Sequence, residues 1–209
     1  MLSTRAAQTE SVLAYSSMAD LLDGLEDDAF AELPPPQRLA IDRVLLRASA
    51  DGPVTDQRAV GAAFVSVVER LAAQSAVLIA IDDLQWLDHP SRLITSAAMR
   101  RLSGPVGVLV TMRDGPEYVD AGSWLELRRP DRLRRVRVHP LSLGATHTVL
   151  SDRLGRSFSR PKMLRIHEFS GGNPFYALEL GRAMADETWH DGAPLPSTLA
   201  DWCGHGWEV

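Results

Sequence analysis

Asp82, Asp83 and Arg113 are the residues of this chain whose types and placement could do phosphate chemistry. Six apolar residues, Ala76 to Ile81, run without interruption into the acidic pair Asp82-Asp83, and a second apolar run from Val106 to Met112 leads straight to Arg113. An apolar run rich in β-branched residues is the pattern of a strand buried on both faces of a parallel sheet. Groups that follow such strands stand at the carboxyl edge of the sheet, where open α/β folds bind ligands. One carboxylate there can hold Mg²⁺, a second can orient an attacking water, and an arginine can neutralise a γ-phosphate. Plainer roles fit the same residues: a core strand followed by a polar turn, and an arginine paired structurally with Asp114 or with the two aspartates.

The elements that must position these groups read as an α/β unit. Ser17 is a plausible N-cap for a helix carrying Met18, Leu21, Leu22 and Leu25. Residues 1 to 10 are polar and read as loose. After the break at Leu33-Pro34-Pro35-Pro36, a short helix should turn Leu39, Val44 and Leu45 inward, and Ala50 to Thr55 reads as a loop. The strongest helical pattern lies between Asp56 and Ala73, with Val60, Ala63, Phe64, Val67, Val68 and Leu71 on one face. It feeds the Asp82 strand through a two-residue link. His89-Pro90-Ser91 then opens a helix from Ser91 to Leu102, whose expected stripe is Leu93, Ile94, Ala97, Ala98 and Leu102. Strand, helix and strand in this order predict a right-handed parallel crossover.

Beyond the loop-like Gly115 to Gly122, six arginines fall between Arg128 and Arg137 (Arg128, Arg129, Arg132, Arg134, Arg135 and Arg137), and the second half alternates with Leu133, Val136 and Val138. That alternation predicts a strand with one polar face. A nucleic-acid patch is the sharper reading, but no aromatic residues are interleaved. From Ser142 onward the periodicity is helical. Ser142 can cap a helix with Leu143, Val149, Leu150 and Leu154. Pro161 opens a second helix through Phe169, which Gly171-Gly172 ends. Asn173 and Pro174 open a third as N-cap and first helical residue, with Phe175, Leu178 and Met184 as candidates for its inner face.

The string from the apolar run through Asp82-Asp83-Leu84-Gln85-Trp86-Leu87-Asp88 resembles the Walker B region of STAND-class, AAA-type P-loop ATPases, and more narrowly the ATPase module of large LuxR-type bacterial transcriptional regulators. Further segments resemble that module in its order. Ser11 to Gly24 is similar to the stretch after the P-loop, and Leu109 to Arg113 to the strand ending in a sensor arginine. His139 to Leu143 is similar to the lead-in to a helical lid, and Ser170 to Leu180 to the lid motif with its Gly-x-Pro. The resemblance covers roughly residues 10 to 200. It implies ATP and Mg²⁺ as cofactors, with Asp82 holding the metal, Asp83 positioning water, Arg113 sensing the γ-phosphate, and Asn173 and Pro174 on the adenine side.

One part of that machinery is missing from the 209 residues. The Walker A pattern G-x-x-x-x-G-K-[ST] cradles phosphates with backbone N–H groups and a lysine. Of the 22 basic residues here only Lys162 is a lysine, and no Gly-Lys pair occurs. The resemblance places the P-loop before Met1, so the expected fold is a parallel-sheet, P-loop NTPase-like α/β core lacking its P-loop strand (1–140), then a small helical lid (141–200) and an atypical tail (201–209). Trp202 to Val209 has two Gly and two Trp in eight residues where the family continues in a helix. A lost reading frame is the expectation for this tail. Neighbouring DNA that restores helix codons in another frame would support it, and uninterrupted intergenic sequence would sink it.

Composition bounds the rest. A hydrophobic fraction of 45% with 23% charged residues fits a globular chain able to bury a core. The net charge of −5 argues against a surface given over to nucleic acid, and with no helix-turn-helix in view no direct DNA binding is expected. The single cysteine excludes an intrachain disulfide framework and a Cys-based zinc site. The six histidines lack H-x-x-x-H spacing, and no G-x-S-x-G elbow occurs, which disfavours a zincin and an α/β-hydrolase. No apolar stretch is long enough to span a membrane and the N-terminus has no apolar signal core, so the cytoplasm is the expected compartment. The reading is therefore a remnant of the ATP-binding module of a signal-responsive regulator, without independent hydrolysis. Its alternative is a non-catalytic interaction module that keeps the sheet for self-association or a protein partner.

Overall fold

Three short parallel strands in chain order carry the first half of the chain: β1 (Leu2–Arg5), β2 (Val77–Asp82) and β3 (Val106–Val110). β1 pairs with β2 in the register Leu2↔Ile79 to Arg5↔Asp82, and β2 with β3 in the register Val77↔Val106 to Ile81↔Val110. The computed structural model describes residues 1–49, 54–115, 125 and 130–184. The chain divides into two units, Met1–Arg134 and Arg135–Val209. The first is mixed α/β and the second, over its described residues, is helical.

The N-terminus is a strand rather than a loose end. Leu2 and Thr4 alternate with exposed Ser3 and Arg5 and are buried against the core. Four alternating residues carry too little pattern to stand out in sequence; pairing with β2 is what makes them a strand.

Four helices connect the strands: α1 (Ser16–Leu22), α2 (Pro35–Val44) and α3 (Gln57–Gln74) between β1 and β2, and α4 (His89–Met99) between β2 and β3. In α3, Val60, Ala63, Phe64, Val67 and Val68 are buried as the periodicity requires, and the Asp56 carboxylate caps the helix by accepting from Arg58 N–H at 2.8 Å. The other two long helices are rotated relative to the expected stripes. In α2 the inner residues are Ala40, Ile41 and Val44, while Leu39 is exposed; in α4 they are Ser91, Ile94, Thr95 and Ala98, while Leu93 is exposed. In α4 two of the buried positions are the polar Ser91 and Thr95, which a hydrophobicity count passes over.

Both β2 and β3 differ from the doubly buried strands expected. In β2, Val77, Ile79 and Ile81 are buried, but Leu78 is 37% exposed; in β3, Leu109 is 59% exposed. Strand order explains this. With right-handed crossovers, strands that follow one another in chain order place every connecting helix on the same face. Among the described residues nothing covers the other face or the outer edge of β3.

The N-terminus of α1 is capped from a distance. Ser17 lies within the helix and is not its N-cap; that position falls to Tyr15, left-handed at φ 67°, whose side chain caps nothing. The buried Asp88 carboxylate accepts from Tyr15 N–H at 2.9 Å, Ser17 N–H at 3.1 Å and the Ser16 hydroxyl at 3.3 Å. It also caps its own helix, α4, by accepting from Ser91 N–H at 3.0 Å, and Ser91 Oγ accepts from Met18 N–H at 3.0 Å. One carboxylate thus satisfies the orphan donors of two helix starts. Nearby, the Tyr15 phenol donates to the Thr55 carbonyl; burial raises its pKa, opposed by a hydrogen bond with Gln57.

The arginine-rich segment forms no strand among its described residues. Pro130–Arg132 is a single 3-10 turn, the chain from 133 to 142 has no regular structure, and Val136 and Val138 are exposed. None of its described residues pairs with a strand of the sheet. Residues 50–53, 116–124, 126–129 and 185–209 lie outside the described residues, and with them most of both expected loops, the start of the arginine run and the tail. Among the described residues no helix is long and apolar enough to cross a membrane.

In the second unit, α5 (Leu143–Leu154), α6 (Arg160–Ser170) and α7 (Pro174–Ala183) enclose Leu150, Met163, Ile166, Ala177, Leu180 and Met184. Ser142 caps α5 through Ala145 N–H as expected. Phe175 is exposed rather than inward, because Ala177, Leu180 and Met184 take the inner face of α7. Gly172 joins the two ends of this unit: at φ +76° its carbonyl accepts from Leu141 N–H at 2.8 Å, and a Cβ on it would stand 2.5 Å from the Leu141 carbonyl oxygen. Gly172→Ala is therefore expected to destabilise this unit by about 3 kcal/mol through clash and left-handed strain. Gly171→Ala, in open space, should cost only the strain, about 1 kcal/mol. Urea unfolding of the two variants checks the order.

Candidate functional site

The parallel ladder brings Asp82, Asp83 and Arg113 to one edge of the sheet. β2 ends on Asp82, and β3 continues through Thr111, whose N–H donates to the Ile81 carbonyl at 3.0 Å and whose carbonyl accepts from Leu84 N–H at 3.0 Å. The two strand ends are thereby locked side by side. Asp83 is left-handed at φ 57°, a conformation Asp tolerates better than most residues. It turns the chain into the 3-10 turn Leu84–Trp86.

Thr111 sits between the two aspartates. Its hydroxyl donates to Asp82 Oδ1 and accepts from Asp83 N–H at 3.0 Å. Arg5 Nε lies 3.6 Å from Asp82 Oδ2 in a solvent-exposed pair. Asp83 faces the other way: its Oδ1 accepts from Gln85 Nε2 at 2.7 Å and lies 3.8 Å from Arg113 Nε. The Gln85 amide also accepts from Arg113 N–H at 3.2 Å, and the Arg113 guanidinium lies over the Trp86 ring, 5.9 Å from its centroid. Gln85 thus ties Asp83 to the backbone of Arg113.

Asp82 opens onto a shallow depression of about 600 Å³ lined by Ser3, Arg5, Asp20, Asp23 and Thr111 among others. Thr4 Oγ1 donates to Asp20 at 2.9 Å at its rim. The Asp82 carboxylate is half-exposed; among the described residues one oxygen is engaged by Thr111 and the other is met by a solvent-exposed arginine. Mg²⁺ in phosphate sites is commonly held by one or two carboxylates, the substrate phosphates and water, so a single available carboxylate fits such an ion. Among the described residues no group of three acidic, His or Cys side chains forms an all-protein metal site.

Asn173 and Pro174 belong to the second unit and start α7. Asn173 Oδ1 accepts from Phe175 N–H at 2.9 Å and Tyr176 N–H at 3.4 Å, so this side chain is occupied as a helix cap.

Arg5, Gln85 and Thr111 were not among the candidates from sequence. Thr111 and Gln85 lie inside the two motif strings, and their polar side chains beside a strand end were the available signal. Arg5 carried none, because its strand was illegible. Comparison of the chain with protein-family models, with curated proteins and with solved structures gives no significant match.

Proposed function

We propose that the chain is an ATP-binding module of the kind found in LuxR-type transcriptional regulators, with the Walker B and sensor-arginine half of the site and no hydrolysis by these 209 residues alone. The observation that supports the reading best is the polar network across the ends of β2 and β3, from Asp82 through Thr111 and Asp83 to Gln85 and Arg113. In this reading Asp82 is the metal-binding carboxylate, and bound Mg²⁺ supplies charge neutralisation for the phosphates. Asp83, held by Gln85, orients water, and Arg113 meets the terminal phosphate. Pro174, opened by the Asn173 cap, is the adenine-side contact that the resemblance implies.

Arg5 has a definite part in this mechanism. Its guanidinium, 3.6 Å from Asp82, would compete with a cation for that carboxylate. Low-millimolar Mg·ATP added to isotopically labelled chain should shift the amides of Asp82, Asp83, Thr111 and Arg113 before any others. Shifts confined to other regions would overturn the proposal. The alternative, a non-catalytic interaction module, draws support from the sheet face and β3 edge that no described residue covers.

A further inference from the structure

We propose that the stretch from Arg132 to Arg137 is a processing site, where a serine endoprotease that cuts after arginine divides the chain into two parts that each stay folded. Its sequence is Arg-Leu-Arg-Arg-Val-Arg, and it lies where the chain passes from the first unit to the second. Every residue from Asp131 to Pro140 is exposed, and the backbone from Leu133 to Ser142 has no regular structure. A protease of this class holds its substrate as an extended strand through main-chain hydrogen bonds, and takes the arginine into a pocket that ends in a carboxylate. Both demands are met here. Among the described residues the backbone of Leu133, Arg134, Arg135 and Val136 makes no hydrogen bond, and Arg134 and Arg135 have no acidic partner. Attack on the Arg134 or Arg135 carbonyl breaks the peptide bond to the next residue, whose nitrogen leaves with a proton as a new amino terminus. Water then releases the arginine carboxylate from the protease serine, so one water is consumed and nothing is oxidised.

The other described arginines are held in ways that resist such binding. Arg43, Arg70, Arg92, Arg165 and Arg182 lie within helices, whose backbone must open before it can extend. Arg5 is paired in β1, and Arg47 N–H donates to the Asp42 carbonyl while its guanidinium meets Asp27 at 2.9 Å. Arg113 N–H donates to the Gln85 side chain at 3.2 Å. Arg156 is exposed too, but its loop between α5 and α6 is short. Gly155 N–H anchors that loop on the Ser151 carbonyl at 3.0 Å, and Phe158 anchors it on the core of the second unit. The cut also spares both cores. The first is built from residues between Leu2 and Met99, with Leu125 packed against it, and the second from residues between Leu150 and Met184. No residue from Arg132 to Pro140 belongs to either. Exposed, unpaired connections of this kind are where chains are nicked without unfolding.

Brief digestion of the full native chain with a small amount of trypsin, read by mass spectrometry of the fragments, tests this. The first cut should fall after Arg132, Arg134, Arg135 or Arg137, about a hundredfold faster than cleavage at any helical arginine. The far-ultraviolet circular dichroism spectrum should be unchanged once that cut is complete. A variant carrying Arg132→Gln, Arg134→Gln, Arg135→Gln and Arg137→Gln alters only exposed side chains, so it should keep the wild-type spectrum and survive the same digestion intact. A first cut after Arg113, Arg128 or Arg156, loss of the helical spectrum as the cut proceeds, or a fourfold variant nicked as fast as wild type would overturn the proposal. Amide shifts with Mg·ATP report on the Asp82 edge of the uncut chain, so either proposal can fail without the other.

Discussion

Asp88→Ala should lower the unfolding free energy of the first unit by about 4 kcal/mol, more than any other single polar substitution in it. The residue is 1% exposed and its carboxylate accepts four hydrogen bonds, three of them from backbone N–H groups at two helix starts. Truncation leaves those donors buried without partners, and an unsatisfied buried group costs roughly 1 to 3 kcal/mol. Some of that loss is recovered where water enters the cavity, which keeps the figure below the simple sum. Asp88→Asn keeps one acceptor oxygen but turns an NH₂ toward donors, so it should fall between wild type and alanine. Ser91→Ala removes the single bond from Met18 N–H and should cost about 1 kcal/mol. Urea denaturation of the three variants tests the ordering. An Asp88→Ala protein within 1 kcal/mol of wild type would show that the shared cap contributes little.

The chain alone should not bind ATP usefully. A nucleotide site of the proposed class draws phosphate affinity from several backbone N–H groups, a helix N-terminus and one lysine, all in the Walker A loop. The 209 residues contain no Gly-Lys pair. The Asp82 edge is anionic and repels phosphates unless Mg²⁺ bridges them, while Arg5 and Arg113 are engaged by Asp82 and Asp83. Going without two or three charge-assisted hydrogen bonds, at roughly 1.5 to 3 kcal/mol each, weakens binding by more than a hundredfold. A micromolar site becomes a millimolar one. Titration with fluorescent ATP and Mg²⁺ should therefore show no saturation below about 1 mM. Saturable micromolar binding abolished by Asp82→Ala would refute this and assign the phosphates to other residues.

How much of this was legible in the sequence depended on how far each interaction reaches along the chain. Local signals were sufficient for α3, where eighteen residues of amphipathic periodicity follow an Asp cap, and for the starts of α5 and α7 at Ser142 and Asn173. They also sufficed for the convergence of Asp82, Asp83 and Arg113. Two apolar runs joined by one helix leave little choice but a parallel crossover, and parallel strands put their carboxyl ends together. Tertiary structure decided the rest. β1 exists because β2 supplies the partners for four residues with almost no pattern of their own. The start of α1 depends on Asp88, more than seventy residues away, and no local cap rule anticipates a carboxylate that arrives from another strand end. Among the described residues one face of the sheet is bare, because strand order sends the crossover helices to the other, and an apolar run in β2 or β3 reads the same whether one face or both are covered. Hydrophobic runs specify that a strand forms, whereas the topology determines what covers it.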